Sequence, residues 1–239
     1  MLAGLTPWLD WLLYAQSRGQ FQRLVGLAAR YRPPCMEAYR KNLPAAFQIP
    51  ARPLISLVII DYLEVSPWPF ARYQEAAILL RAAYRDREGW YPLVMPVTTW
   101  IARQGGHHIG FPKFVTPEIR LREEAGVVRG HASGVCGGRF AVDATFVPGL
   151  AGPTADWEEP FVRDPALFTE PFLVHKPVGI GPAVHEVRLE HVKPAAWESR
   201  PGRVALRGHE ERLIPSTGPV LGTWHAFNGG MNLVSARLA

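Results

Sequence analysis

Apolar residues recur at helical spacing near the N-terminus, and beyond residue 50 they gather into short β-branched runs. From about Trp8 to Tyr31 the apolar positions lie three and four residues apart, which predicts one face of a helix. Met36–Asn42 is predicted to form a short helix that ends before Pro44. We therefore expect a helical N-terminal extension over residues 1–31. The apolar residues that define it are Leu9, Leu12, Leu13, Phe21, Leu24, Val25 and Leu27.

The rest of the chain predicts strands. Pro53–Val65 contains Leu-Ile-Ser-Leu-Val-Ile-Ile, a run typical of a buried strand, and Glu118–Ala132 predicts a hairpin. The 23 prolines break the chain into short pieces, and we find no internal repeat. We therefore predict one β-rich α+β domain over residues 1–239. Further strands are expected at Ala76–Tyr84, Tyr91–Val97, Arg139–Val147, Phe172–His175, Val184–Val192, Arg203–Gly208 and Val220–Leu238.

Composition excludes several classes of protein. A chain with 48% hydrophobic and 20% charged residues is typical of a globular protein and not of a disordered one. The net charge is +5, but the basic residues are scattered, which disfavours a nucleic-acid surface. The apolar N-terminal segment carries Pro7 and Asp10 and no basic start, so we expect neither a secretion signal nor a membrane span. Cys35 and Cys136 form no CxxC motif, which suits a cytoplasmic protein, although one disulfide stays an alternative.

One lysine stands out as a candidate nucleophile. The chain has four lysines against 22 arginines, and Lys113 ends the segment Gly-His-His-Ile-Gly-Phe-Pro-Lys. Arginine stays charged in proteins, whereas a lysine that is removed from water can lose its proton and attack a carbonyl. The neighbours Ile109, Phe111 and Phe114 are apolar and predict such an environment. The alternative is a surface lysine whose stem alone is covered.

Several motifs in order resemble the acetoacetate decarboxylase family. Gly-Phe-Pro-Lys at 110–113 follows Tyr-Gln-Glu at 73–75, and both follow Tyr31–Arg32 and Arg52–Pro53–Leu54. The resemblance extends from about Tyr31 to Gly138. It implies a mainly antiparallel β-sheet curled into a barrel-like body with flanking helices, and a homo-oligomer. It also implies that Lys113 forms a Schiff base and that Glu75 faces the substrate.

The resemblance implies further substrate-binding positions. Asp61 would supply a second acidic group, within one residue of register, and Arg23 would hold a substrate carboxylate. Phe111 would lie in the substrate pocket. It implies no cofactor. The local sequence alone allows an alternative for each acid. Glu75 could form a surface ion pair with Arg72, and Asp61 could cap a turn at the end of a strand.

The chain departs from the family at three positions near the lysine. Decarboxylating members commonly carry Arg-Glu where this chain has Gly106 and His107, and a second lysine where it has Phe114. We expect His107 or His108 to replace the missing acid as a proton carrier. A metal site at these histidines is disfavoured, because adjacent residues of an extended chain point to opposite faces.

These features predict an enzyme that acts on a small oxo acid through an imine of Lys113. Decarboxylation of a β-keto acid is the favoured reaction. Aldol addition or dehydration through the same imine is the first alternative. A non-catalytic protein that binds small molecules with the same fold is the second. No nucleic acid, membrane or metal ion is expected as a partner.

Overall fold

The computed structural model describes residues 20–66, 72–135, 139–149, 158, 170–177, 182–208, 213–215 and 219–238. Within these residues the chain is mainly strand and has two helices, α1 (Met36–Asn42) and α2 (Trp100–His108). The strands are β1 (Gln20–Tyr31), β2 (Ile55–Ser66), β3 (Tyr73–Tyr84), β4 (Arg87–Val97), β5 (Lys113–Val115), β6 (Ile119–Glu124), β7 (Val127–Val135), β8 (Arg139–Pro148), β9 (Phe172–Pro177), β10 (Pro182–Gly208) and β11 (Val220–Leu238).

All of these strands belong to one mainly antiparallel sheet, as predicted. Its order is β11-β1-β2-β3-β4-β9-β10-β8-β7-β6, and the short β5 pairs in parallel with β4. The long β10 pairs with β9, β11 and β8 along its length, which curves the sheet, and it replaces the two separate strands that the sequence predicts there. The barrel-like body is not confirmed. In the described part of the chain β6 ends the order with β7 as its one strand partner, so the sheet is open at this side.

The predicted N-terminal helix is wrong for the part that the structure describes. Gln20–Tyr31 is β1, which is hydrogen bonded to β2 on one side and β11 on the other. A central strand that is covered on both faces is apolar at nearly every position, and Leu27, Ala28 and Ala29 are at most 1% exposed. In such a run some apolar residues always fall three and four apart, so periodicity does not separate strand from helix. Residues 1–19 lie outside the described part.

Helix α2 is the element that the sequence analysis missed. It occupies the segment before Lys113 that we expected to be an extended, glycine-rich turn. The side chain of Thr99 accepts a hydrogen bond from the backbone N–H of Ala102 and so caps the first turn. Gly105 and Gly106 are poor helix formers, so helix propensity alone does not predict a helix in this segment. The extended geometry assumed for His107 and His108 is therefore wrong, because both lie in the last turn of α2.

The sheet has an apolar cluster on each face, and alternate residues of β3 belong to different clusters. One cluster includes a residue of α2, and among its β3 members are Tyr73 and Ala77. The other includes residues of α1, and among its β3 members are Ala76 and Ile78. We call these sides the α2 face and the α1 face. Because side chains alternate along a strand, Glu75 points to the α2 face.

A buried histidine lies on β11. His225 is fully buried, and its Nδ1 lies 2.9 Å from the hydroxyl of Ser199 on β10. Burial, and secondly the charge of Arg30, lower the pKa of His225 from 6.5 to about 3. The imidazole is therefore neutral in the folded protein near neutral pH.

Acid should destabilise the protein through His225. The pKa of His225 is lower in the folded protein than in the unfolded chain. Below about pH 6.5 the imidazole is therefore protonated in the unfolded chain, whereas in the folded protein it stays neutral down to about pH 3. We expect the free energy of unfolding to fall by about 2 kcal/mol through this group when the pH is lowered from 6.5 to 5. Urea unfolding at the two pH values checks it. His225→Asn should show a smaller loss than the wild-type protein.

Candidate active site

Lys113 is the first residue of β5 and is buried, with 8% of its surface exposed. Two long-range features hold its backbone: the parallel pairing of β5 with β4, where Lys113 aligns with Met95, and the packing of α2 beside β5. The preceding turn is tight, since the N–H of Lys113 donates to the carbonyl of Phe111 at 2.8 Å. The alternative of a surface lysine with a covered stem is therefore wrong.

The amine of Lys113 meets the carboxylate of Glu75. Nζ lies 2.5 Å from Oε2, and both side chains are buried, at 7% and 4% exposure. Glu75 reaches this point because β3 pairs with β4, which in turn carries β5. The reading of Glu75 as the surface partner of Arg72 is wrong, because Arg72 binds Asp61 instead. A buried, hydrogen-bonded ion pair of this kind is held by its surroundings and is costly to break.

Aromatic rings surround the amine. The ring centres of Tyr73 and Phe111 lie 5.8 and 5.7 Å from Nζ, within the range of cation–π attraction. Phe111 is itself fixed by an edge-on contact with Phe172, whose ring centre is 5.4 Å away. Phe111 therefore lies beside the lysine, where the sequence analysis puts it. The rings keep water away from the amine, so the electrostatic attraction between the ammonium and the carboxylate of Glu75 is stronger than in water.

Gly106 gives the lysine side chain its space. A Cβ atom at this position of α2 would lie 2.6 Å from Cε of Lys113 and closer still to Cδ. The carbonyl of Gly106 also accepts a hydrogen bond from the N–H of Phe111, at 2.8 Å, which ties α2 to the turn before the lysine. The glycine that departs from the family pattern thus has a direct steric role here.

His107, one of the two histidines expected to carry a proton, contacts the main chain of Lys113. Nε2 of His107 lies 2.5 Å from the backbone carbonyl of Lys113, and the residue is exposed. This contact fixes the last turn of α2 against β5, and the ring bonds the main chain and not the amine. The side chain of His108 lies outside the described residues. No group of three His, Cys, Asp or Glu residues suited to a metal ion occurs in the described part of the chain.

Asp61 is not brought to the lysine. It lies on β2, where Ile60 and Tyr62 belong to the cluster on the α2 face, so Asp61 points to the α1 face. There its carboxylate accepts hydrogen bonds from the guanidinium of Arg72, at 3.0 and 2.5 Å, and from the amide of Gln74 at 3.1 Å. The register of the expected second acid is thus off by one residue, and the positions that flank Glu75 across the strand pair are Ile60 and Tyr62.

Arg23 lines a cavity that does not include the Lys113–Glu75 pair. It is exposed on β1, at an irregularity in the pairing of β1 with β2. The cavity has a volume of about 330 Å³, and Leu24, Trp197, Phe227 and Asn228 are among the residues that line it with Arg23. Neither Lys113 nor Glu75 lines this cavity. The structure therefore does not join Arg23 to the candidate site.

Tyr62 is the residue at the site that sequence reasoning missed. It pairs across the strands with Tyr73, and the two rings stack with their centres 4.5 Å apart. The alternation of β2 contains the signal, because Tyr62 lies two residues from Ile60 on the face opposite to Asp61. The site thus contains one amine, one carboxylate and two phenols in an apolar setting.

In the described part of the chain, no helix has the length and apolar character needed to span a membrane.

The fold is similar to those of several known proteins. The sequence model of the acetoacetate decarboxylase (ADC) family matches residues 27–221. A search of curated proteins found no match. Among solved structures, the chain is similar to an acetoacetate decarboxylase, with a TM-score of 0.69 at 16% identity over 92% of this chain and 88% of the other.

Two further structures are of the enduracididine biosynthesis enzyme MppR. Its complex with pyruvate has a TM-score of 0.65 at 16% identity and covers 92% of this chain and 90% of the other. Its complex with the condensation product of pyruvate and imidazole 4-carboxaldehyde has a TM-score of 0.61 at 18% identity and covers 92% and 89%. At these identities the likeness shows a shared fold.

Proposed function

The chain belongs to the acetoacetate decarboxylase family, and we propose that it is an enzyme that acts on a small oxo acid through an imine of Lys113. The observation that carries the proposal is the buried contact of 2.5 Å between Nζ of Lys113 and Oε2 of Glu75. The amine, enclosed by aromatic rings, is the nucleophile, and the carboxylate that is hydrogen bonded to it is the proton acceptor.

The first step needs a neutral amine. Transfer of one proton from Nζ to Oε2 turns the ion pair into a neutral pair, and this avoids two buried charges without moving any heavy atom. The amine nitrogen then attacks the oxo carbon, the C–O π bond breaks as the C–N bond forms, and the oxo oxygen takes up the proton that the nitrogen loses. Loss of this oxygen as water, with a proton from the Glu75 carboxyl group, leaves a protonated imine and restores the carboxylate.

The protonated imine accepts electrons from the substrate. In a β-keto acid the bond between the α-carbon and the carboxylate breaks, carbon dioxide leaves, and the electron pair enters the imine as an enamine. Protonation of the enamine carbon and hydrolysis release the ketone and the free amine. The apolar rings favour this step, because a carboxylate in a poorly hydrated site loses its charge when it leaves as carbon dioxide.

A second reaction class remains part of the proposal. An enamine can also attack an aldehyde, and dehydration then gives a condensation product. The likeness in fold to MppR complexed with a condensation product of pyruvate supports this alternative. Phe114 supports it as well. It stands where decarboxylating members carry a second lysine, so the position next to Lys113 supplies no second cation.

Reductive trapping tests the proposal. The protein is incubated with pyruvate or acetoacetate, reduced with borohydride and digested, and the peptide that contains Lys113 is examined by mass spectrometry. We expect a covalent adduct with at least one probe, no adduct in Lys113→Ala, and an unchanged adduct in Lys41→Ala, which removes an exposed lysine of α1. Carbon dioxide release from acetoacetate then separates decarboxylation from the alternative reactions.

The opposite outcome favours a different function. A folded wild-type protein that gives no adduct across a broad panel of 2-oxo and 3-oxo acids would be a small-molecule-binding protein of the same fold. Loss of the family residues at Gly106, His107 and Phe114 fits such a protein. The cytoplasmic location and the homo-oligomeric state stay predictions, and size-exclusion chromatography with light scattering checks the second.

A further inference from the structure

Two buried tyrosines adjoin the amine–carboxylate pair. Tyr62 on β2 and Tyr73 on β3 are directly opposite each other, with 6% and 8% of their surfaces exposed. Their rings are stacked, with centres 4.5 Å apart and planes 23° from parallel. This contact fixes both rings, because neither can rotate without losing the stacking. The pair is therefore a rigid part of the α2 face.

The tyrosines are close to both members of the pair. Tyr73 lies two residues before Glu75 on the same face of β3, and its ring centre is 5.8 Å from Nζ of Lys113. The carboxylate of Glu75 acts electrostatically on the hydroxyl groups of both tyrosines. The residue directly opposite Glu75 on β2 is Ile60, which has no polar atom in its side chain. The phenols thus supply polar groups beside Glu75 on this face.

The stacked rings bring the hydroxyl groups of Tyr62 and Tyr73 close enough for each to affect the pKa of the other. Each phenol has one proton to donate, so a bond between two phenols uses one proton and leaves the other for a third oxygen atom. Burial, as the main cause, raises the pKa of both tyrosines well above the usual range. Both hydroxyl groups therefore keep their protons, and the pair remains a neutral donor across the working pH range.

We propose that the Tyr62–Tyr73 pair donates a hydrogen bond to the oxo oxygen of the substrate as Lys113 attacks the oxo carbon. The inference rests on the proposed function and deepens it. The oxygen gains negative charge in this step, and a donor already fixed in an apolar site stabilises that charge without reorganising. The hydroxyl keeps its own proton, so the step needs no further acid and leaves the charge of the site unchanged.

The pair is also compatible with an anionic substrate. A second carboxylate at this position would repel an anionic substrate, whereas two phenols carry no charge. The phenols therefore permit an oxo acid whose oxo group reaches Nζ, and they place no negative charge against its carboxylate. In this proposal Tyr62 touches the reacting oxygen and is the catalytic residue, and Tyr73, which stacks on it, is a positioning residue.

Substitution by phenylalanine tests the role, since it keeps the rings and removes one hydroxyl. The rate of borohydride-trapped imine formation is measured with pyruvate and with acetone, an uncharged ketone. We expect Tyr62→Phe to lower the rate about 100-fold with both probes, as for the loss of one oxyanion donor. Tyr73→Phe should lower it less, about 10-fold. Tyr84→Phe, at the end of β3 in the cluster on the α1 face, is the matched control and should not change it.

Two results would overturn the assignment. Unchanged rates in Tyr62→Phe, with a folded protein by circular dichroism, mean that the hydroxyl does not touch the reacting oxygen. A loss with pyruvate alone means that the hydroxyl binds the carboxylate and not the oxo oxygen. A purely structural role would alter the urea midpoint while leaving the rate constant of imine formation the same, so both are measured for each variant.

A non-covalent probe separates this inference from the proposed function. Lactate carries a hydroxyl group where pyruvate carries the oxo group, and its binding is measured by calorimetry without imine chemistry. If the wild-type protein binds lactate but traps no member of the panel of 2-oxo and 3-oxo acids, the proposed function fails. In that case weaker binding of lactate by Tyr62→Phe, at least fivefold, keeps the donor role, and equal binding overturns it. If lactate does not bind and no imine is trapped, both proposals fail.

Discussion

Glu75→Gln should lower both the stability of the protein and the rate of imine trapping. The substitution keeps the volume of the side chain but removes the charge that balances the ammonium of Lys113, whose Nζ is 2.5 Å from Oε2 of Glu75. An uncompensated charge in a site with 7% exposure is expensive, and we expect the free energy of unfolding to fall by about 3–5 kcal/mol. The trapping rate should fall at least about 100-fold, because the proton acceptor is lost.

A double-mutant cycle separates the two effects of this change. Lys113→Met leaves Glu75 unpaired in the same way and should also cost about 3–5 kcal/mol. The double variant Glu75→Gln, Lys113→Met contains no buried charge at the site, so its loss should be at least about 2 kcal/mol smaller than the sum of the single losses. Urea unfolding of all four proteins measures this difference. Strict additivity would mean that the two side chains do not interact in solution.

Gly106→Val should abolish trapping more selectively. The added Cβ would lie 2.6 Å from Cε of Lys113, inside the distance that any two carbon atoms tolerate, so the lysine stem must move. Displacement of a reacting group by about 1 Å can cost about 100-fold in rate. We therefore expect a rate loss of at least that size, measured by borohydride trapping with the most reactive oxo acid.

The effect of Gly106→Val on stability should be modest by comparison. Overpacking costs about 1–3 kcal/mol, and replacing a glycine inside a helix gains back up to about 1 kcal/mol. Gly149→Ala is the control, because its φ of 90° strains an alanine while no atom lies within 4 Å of the new Cβ. It should lose about 1 kcal/mol and keep the wild-type trapping rate. A trapping rate that stays normal in Gly106→Val would mean that the lysine can reach substrate by another path.

The sequence predicted the strands well where their flanks were clear. The β-branched run of β2 and the hairpin of β6 and β7 were both expected, and the turn between the latter carries Ala125 and Gly126 with positive φ. Propensity misled at two places. β1 is covered on both faces, so its residues are mostly apolar, and the spacing of these apolar residues imitates that of a helix. α2 contains Gly106 because the side chain of Lys113 occupies the space that a Cβ atom would fill, and this glycine lowers the helix propensity of the segment.

The candidate site shows the same division. Its two charged groups were found from the family spacing, and the structure brings Lys113 and Glu75 together. Asp61 was misplaced by one position and Tyr62 was overlooked for the same reason, since a shift of one residue along a strand moves a side chain to the other face of the sheet. Arg23 was assigned from weak sequence similarity, and it lies in a separate cavity.

The amino-acid sequence by itself determined the chemical inventory: a rare lysine in an apolar turn, a glutamate at the family spacing, and strands that build an antiparallel sheet. The tertiary structure decided which groups face one another. Burial and ion pairing depend on residues far apart in the chain, such as Glu75 on β3 and Lys113 on β5, and these are joined through β4. Local patterns carry no information on such contacts, because strand order and the side chosen by each residue arise only when the sheet assembles.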